Sequence, residues 1–240
     1  MPASSVLPET LHPSLWRGSQ LARGVPRTIE TGHPSLSAEL PGGGWPLGGL
    51  TELLVPQAGC GELRLLAPAL VRAVSAQRPL ALVQPPHVPE ARALARLGLP
   101  RDALLWLRAA RSADALWTAE QILKAGCCGA LLLWQLDTRP EALRRLHLAA
   151  ARASATLFIM LRPLAAAQQP SPAPLRVALR PEPGGIAVDI IKRRGPATSG
   201  ALSLALLPSP ILGSRHARFS RRPSAVPAAG RVPAAAADAA

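Results

Sequence analysis

Short apolar runs recur through the middle of the chain, each closed by a Gly, Pro or polar break and followed by residues at helical spacing. Leu50–Val55 opens the series, and Leu80–Gln84, Leu104–Leu107, Cys128–Trp134 and Thr156–Leu161 continue it. Continuous apolar runs of this length predict strands buried on both faces. Between them, helices are predicted from Leu63 onward and over Pro89–Leu97, the second stopping at Gly98. Ser112 is placed to cap the next helix, whose apolar residues Leu116, Trp117, Ile122 and Leu123 precede a terminal Gly126. Thr138 with Glu141 has the spacing of a capping box, for a helix reaching about Ser154. Strands alternating with helices in this way predict a mainly parallel sheet with helices on both faces. After Leu161 the alternation stops. Leu175–Arg180 and Ile186–Lys192 flank Pro181-Glu182-Pro183-Gly184-Gly185 and predict a C-terminal antiparallel hairpin, with Ala201–Leu206 as a further strand. The fold class expected is α/β.

The two ends break this pattern, which divides the chain into an N-terminal extension (1–35), a core (36–207) and a basic tail (208–240). Leu15, Trp16 and Leu21 are candidate anchors of the extension. The tail is Pro, Ala, Ser and Arg without apolar period, and its composition predicts disorder. With 240 residues and 48% hydrophobic content the chain can bury a substantial core. No apolar stretch reaches the roughly 18 residues of a membrane helix, so no membrane contact is expected. The three cysteines, Cys60, Cys127 and Cys128, fit neither a disulfide framework nor a zinc spacing, and no charged start with an apolar stretch marks a secretory signal. A reducing cytoplasm is the expected setting. The five histidines are scattered, so no metal site is expected.

Gly48 to Leu66 reads as a strand, a Gly-bearing turn and a helix, the layout of a phosphate-binding loop. In a working loop of that kind backbone N–H groups cradle phosphates, a Lys reaches the β/γ oxygens and a Ser or Thr holds Mg²⁺. Pro56, Gly59, Gly61 and Glu62 form the turn here, but the Lys and Ser/Thr slots fall on Gly61 and Glu62, or on Glu62 and Leu63 in a longer register. A carboxylate suits the positive end of a helix and repels a triphosphate. The loop reads as a retired nucleotide pocket with no cofactor; an ordinary strand-turn-helix corner would need the same glycines.

A formal net charge of +13 raises the local concentration of polyanions around the chain. Almost all of it is Arg, with Lys124 and Lys192 the only lysines, a skew that GC-rich coding also produces. Candidate partner or nucleic-acid contacts are Trp16, Trp45, Arg144, Arg145, Arg193, Arg194, Arg221 and Arg222. Arg152, on the helix of Arg144, and Arg162, after a strand, belong to the same set of charges, although solvated faces account for most such runs. Trp45 and Trp106 suit a core equally well.

Taken together, Pro34-Ser35-Leu36-Ser37, Leu40 to Gly48, Leu50-Thr51-Glu52-Leu53, Gly59 to Leu66, Leu116-Trp117 with Glu120, Arg144-Arg145-Leu146 and Phe158 to Pro163 resemble the RecA ATPase core. Within that group they are most similar to the ImuA family, over roughly residues 10–207. Against RecA, the catalytic glutamate position falls near Pro86, the Mg²⁺-supporting Asp is replaced by Trp134, and Leu136 passes almost directly into the Thr138 helix, leaving no room for a first DNA-binding loop. A second such loop would lie between Pro163 and Pro174. The resemblance implies a non-catalytic accessory of SOS-induced, error-prone translesion DNA synthesis. Its implied partners are an ImuB-like inactive polymerase homologue and an error-prone DNA polymerase, with DNA as a possible third. SulA-like cell-division inhibitors, which bind FtsZ, resemble the chain in Thr51-Glu52-Leu53-Leu54 and Phe158-Ile159-Met160 and supply the alternative. A residual ATPase with a displaced Lys124 or Lys192 is a third.

Overall fold

A computed structural model describes residues 27–195 and 200–206. The described residues belong to the first of two compact units, Met1–Leu207; the second, Pro208–Ala240, lies outside them. The expectations for Trp16, Arg221, Arg222 and the tail therefore fall beyond what is described.

The described residues build ten strands: β1 (Thr28–Glu30), β2 (Gly44–Pro46), β3 (Leu50–Val55), β4 (Leu80–Val83), β5 (Leu104–Leu107), β6 (Ala130–Trp134), β7 (Leu157–Pro163), β8 (Leu175–Glu182), β9 (Gly185–Lys192) and β10 (Leu202–Ala205). The α-helices among the described residues are α1 (Pro34–Glu39), α2 (Glu62–Ala73), α3 (Ala91–Arg96), α4 (Ser112–Ala125) and α5 (Pro140–Arg152). Eight strands form one sheet in the order β10-β9-β8-β3-β7-β6-β4-β5, parallel from β8 through β5, with β8-β9 and β9-β10 antiparallel. The protein is thus an α/β fold with a mostly parallel sheet flanked by helices and antiparallel strands on its C-terminal side. A separate two-stranded sheet joins β1 to β2.

Alternation within the strands explains both faces. Leu53 and Val55 share a cluster with Leu65, Leu66, Ala69 and Leu70 of α2, and Leu82, Leu132, Ile159 and Leu161 extend it. Leu50 and its neighbours Phe158, Met160, Leu131 and Leu133 pack with Ala115, Ala119 and Leu123 of α4 and Leu143, Leu146 and Ala150 of α5. All of β3 is buried because it has strands on both sides and helices over both faces. Trp45 is fully buried in the first cluster beside Leu36 and Leu40, which removes it as a surface contact. Trp106, on the edge strand β5, is 42% exposed instead.

Two expected caps are not formed. Ser112 is the first residue of α4 rather than its cap; Arg111 precedes it and its guanidinium grips Asp114 at 2.9 Å, closing the helix start by an ion pair. Thr138 lies ahead of α5, Arg139 takes the cap position without a side-chain bond, and the Thr138 hydroxyl is buried with no partner. Pro140 takes the first helical position, which proline favours, and so sets the cap at Arg139, one residue past Thr138. The C-terminal Gly126 of α4 does adopt the left-handed conformation, at φ 62°.

The connections leaving the adjacent strands β3 and β7 depart in opposite directions, β3 toward β4 and β7 toward β8. Such a divergence opens a crevice at the carboxyl ends of the strands, the usual ligand position in open α/β sheets.

Candidate functional site

The crevice is bordered by the turn between β3 and α2. Gly61, the residue before α2, has φ 112°, a left-handed conformation that glycine adopts without a steric penalty. Glu62, the first residue of the helix, folds its carboxylate back over the turn: the Gly59 N–H donates to Oε1 at 2.8 Å and the Gly61 N–H to Oε2 at 3.1 Å. The side chain is 4% exposed. The groups that would cradle a phosphate therefore hold a carboxylate supplied by the chain itself. Burial, and after it the neighbouring Glu62, push the Cys60 thiol up to about 11, so it stays protonated at neutral pH.

Next to the turn, the carboxyl ends of β3, β4, β6 and β7 enclose a cleft of about 500 Å³. Pro56, Pro86 and Trp134, read from the sequence as the loop and the two replaced catalytic positions, meet on its wall. Gln84, just past β4, has φ 57°, and its amide both donates to the Ala109 carbonyl and accepts from the Ala109 N–H at 2.9 Å. That clamp ties the end of β4 to the segment after β5. Arg108 lies exposed at the same cleft, and neither Asp nor Glu lines it. Neither Lys124, which pairs with Glu120 at 2.9 Å, nor Lys192, which donates to the Ser171 carbonyl at 2.9 Å, is among its lining residues. No displaced lysine serves this pocket.

Behind the cleft lies a buried charge cluster that sequence reading did not anticipate. Arg162 sits within β7 and is 1% exposed, a correction to its expected place among surface charges. It donates to Glu52 at 3.0 Å and to the Gln169 side chain at 2.6 Å. Arg176 of β8 donates to the other Glu52 oxygen at 2.6 Å and to the Ala166 and Ala167 carbonyls. The strand register makes this possible, since Glu52 lies beside Arg176 on β8 and Leu54 beside Arg162 on β7. Residues 164–169, the start of the expected second DNA-binding loop, are thereby pinned against the sheet, Leu164–Gln168 as a 3₁₀ turn. The signal available in the sequence was that Arg162 interrupts an otherwise apolar run at in-facing period.

The remaining predicted contacts are dispersed. Arg144 is exposed on α5, while Arg145 bridges to Glu120 on α4. Arg193 binds the carboxylate of Glu39 at 2.9 Å and its carbonyl oxygen. Arg194 lines a second pocket, of about 190 Å³, with His147, whose imidazole is held below its usual range by burial and then by Arg194 and Lys192. Arg145, Arg193 and Arg194 thus meet different neighbours, Glu120, Glu39 and the second pocket.

Among the described residues no group of three or more His, Cys, Asp or Glu is placed to hold a metal ion, and no helix is long and apolar enough to cross a membrane. No protein-family model matches the chain and no curated protein matches it.

Proposed function

We propose that this chain is a non-catalytic, RecA-like docking protein of the ImuA type, acting in SOS-induced error-prone translesion synthesis. In this reading it works in the cytoplasm beside an ImuB-like inactive polymerase homologue and an error-prone DNA polymerase. One observation carries the non-catalytic half of the proposal: the Glu62 carboxylate occupies the N–H groups of its own loop. A triphosphate entering there would have to displace a buried carboxylate from two charge-assisted hydrogen bonds and then meet its negative charge. The DNA-damage setting rests on the ordered resemblance of segments from Pro34 to Pro163, and the mostly parallel sheet with its C-terminal hairpin is compatible with it.

The test is co-purification of the full chain with an ImuB-like protein and, in parallel, with FtsZ. Retention of the ImuB-like protein, persisting or lost when residues 208–240 are deleted, supports the reading and locates the contact. Retention of FtsZ alone overturns it in favour of cell-division inhibition, and ATP turnover by the pure chain overturns its non-catalytic half.

A further inference from the structure

The cleft beside the closed loop has a chemistry of its own. Its charged lining side chains are all cationic, an exposed Arg108 and a buried Arg162, while Gln57, Gln84, Gln135 and Ser112 can donate or accept and no carboxylate lines it. Arg162 Nε and Trp134 Nε1 are both buried without an acceptor. Behind the wall, the single Glu52 carboxylate faces two guanidiniums, leaving the buried cluster with one net positive charge. In a poorly polarisable interior an unbalanced charge and unanswered N–H dipoles project a positive potential into the adjoining space. Glu62, in the bordering turn, is engaged by Gly59 and Gly61, and neither it nor the exposed Asp137 that follows Leu136 lines the cleft.

Part of the same wall is apolar, with Pro56, Pro85, Pro86 and Pro163 beside Leu161 and an 84% exposed Leu136. A nucleic acid needs an array of cations along its phosphates, and here Arg108 is the one exposed cation among the lining residues. A second copy of this chain is also a poor occupant, since 27 Lys and Arg stand against 14 Asp and Glu. We propose that the cleft takes an acidic peptide segment of a partner protein, a carboxylate drawn to Arg108 and an adjacent apolar side chain packed on the proline wall. This deepens the docking reading and rests on it in one respect, that the neighbouring loop no longer holds a nucleotide.

The experiment is selection of a displayed random dodecapeptide library on the immobilised full chain, followed by anisotropy titration of the selected peptides after synthesis with a fluorescein label. The selected pool should be enriched in Asp and Glu next to apolar residues. Arg108→Glu and Leu136→Asp, both at exposed positions, should each weaken the selected peptides about tenfold or more. Arg101→Glu, an equal charge change at an exposed site just ahead of β5, at the opposite end of the parallel strands from the cleft, should leave them unchanged and so excludes a response to overall charge. A pool without acidic enrichment, or affinity indifferent to Arg108 and Leu136, overturns the inference and leaves the docking reading standing. Displacement of the peptides by oligo-dT overturns it in favour of single-stranded DNA. Displacement by ATP at micromolar concentration overturns both this inference and the non-catalytic reading.

Discussion

Glu62 and Glu52 are two buried carboxylates with opposite work. Glu62 supplies the acceptor that the Gly59 and Gly61 N–H groups would otherwise lack, so Glu62→Ala leaves two backbone donors without a partner. The expected loss is about 2–3 kcal/mol, read by urea denaturation. An unchanged midpoint would mean that water serves the loop as well as the carboxylate does. Glu52 holds two guanidiniums in a region closed to solvent, and Glu52→Gln leaves both short of a counter-charge. Breaking such a pair from one side costs about 3–5 kcal/mol, and limited proteolysis should find new cuts in 164–173 as the segment loses its tether. Both roles depend on partners distant in the chain or on a backbone reversal. Sequence reading recognised Glu62 as out of place in a phosphate loop but did not anticipate that it would fill the loop itself.

At the scale of elements, α4 and α5 are joined by Glu120, which pairs with Lys124 on its own helix and Arg145 on the next. Lys124 first, then Arg145, hold the Glu120 carboxyl below the usual carboxylate range. A carboxyl lowered on folding stabilises the native state above its unfolded value, and that contribution disappears as pH falls through the lowered one. Glu120→Gln should therefore reduce the melting temperature at neutral pH and lose its effect in acid, a comparison made by thermal denaturation across the two conditions. A constant difference at both pH values would assign the effect to packing instead. Strand positions are legible because apolar runs such as Leu80–Val83 and Ala130–Trp134 carry their own signal, although Leu104–Leu107, expected to be buried on both faces, is an edge strand with Leu105 and Trp106 exposed. Helix starts were read less well. Ser112 and Thr138 have capping chemistry, but the ion pair at Arg111 and the proline at Pro140 set the actual first turns. Caps compete with whatever else lies within reach, and that competition is decided in three dimensions.

For the whole molecule, the strand order turns one loop into the border of a cleft. If that loop still bound ATP with micromolar affinity, a hundredfold excess of ligand would raise stability by about 2.7 kcal/mol. The expected outcome is no shift of the melting temperature with Mg²⁺ and ATP, by calorimetry on the full chain. A clear upward shift would contradict the assignment of the loop as closed. Pro56 of the turn meets Pro86 and Trp134, where the resemblance to RecA-type proteins would put catalytic residues, on one wall because β3, β4 and β6 are aligned in parallel within a single sheet.

Alone, the sequence determined the α/β alternation, the hairpin after Leu175 and the lack of any Lys, Ser or Thr between Pro56 and Leu63, because apolar period and residue type are local properties. Only the tertiary structure decided that Trp45 is core, that Arg162 is buried beside Glu52 and Arg176, and that the cleft wall is free of carboxylates. Those outcomes depend on register between strands more than a hundred residues apart, as with Glu52 and Arg162. No local pattern records which side chains a sheet will bring face to face.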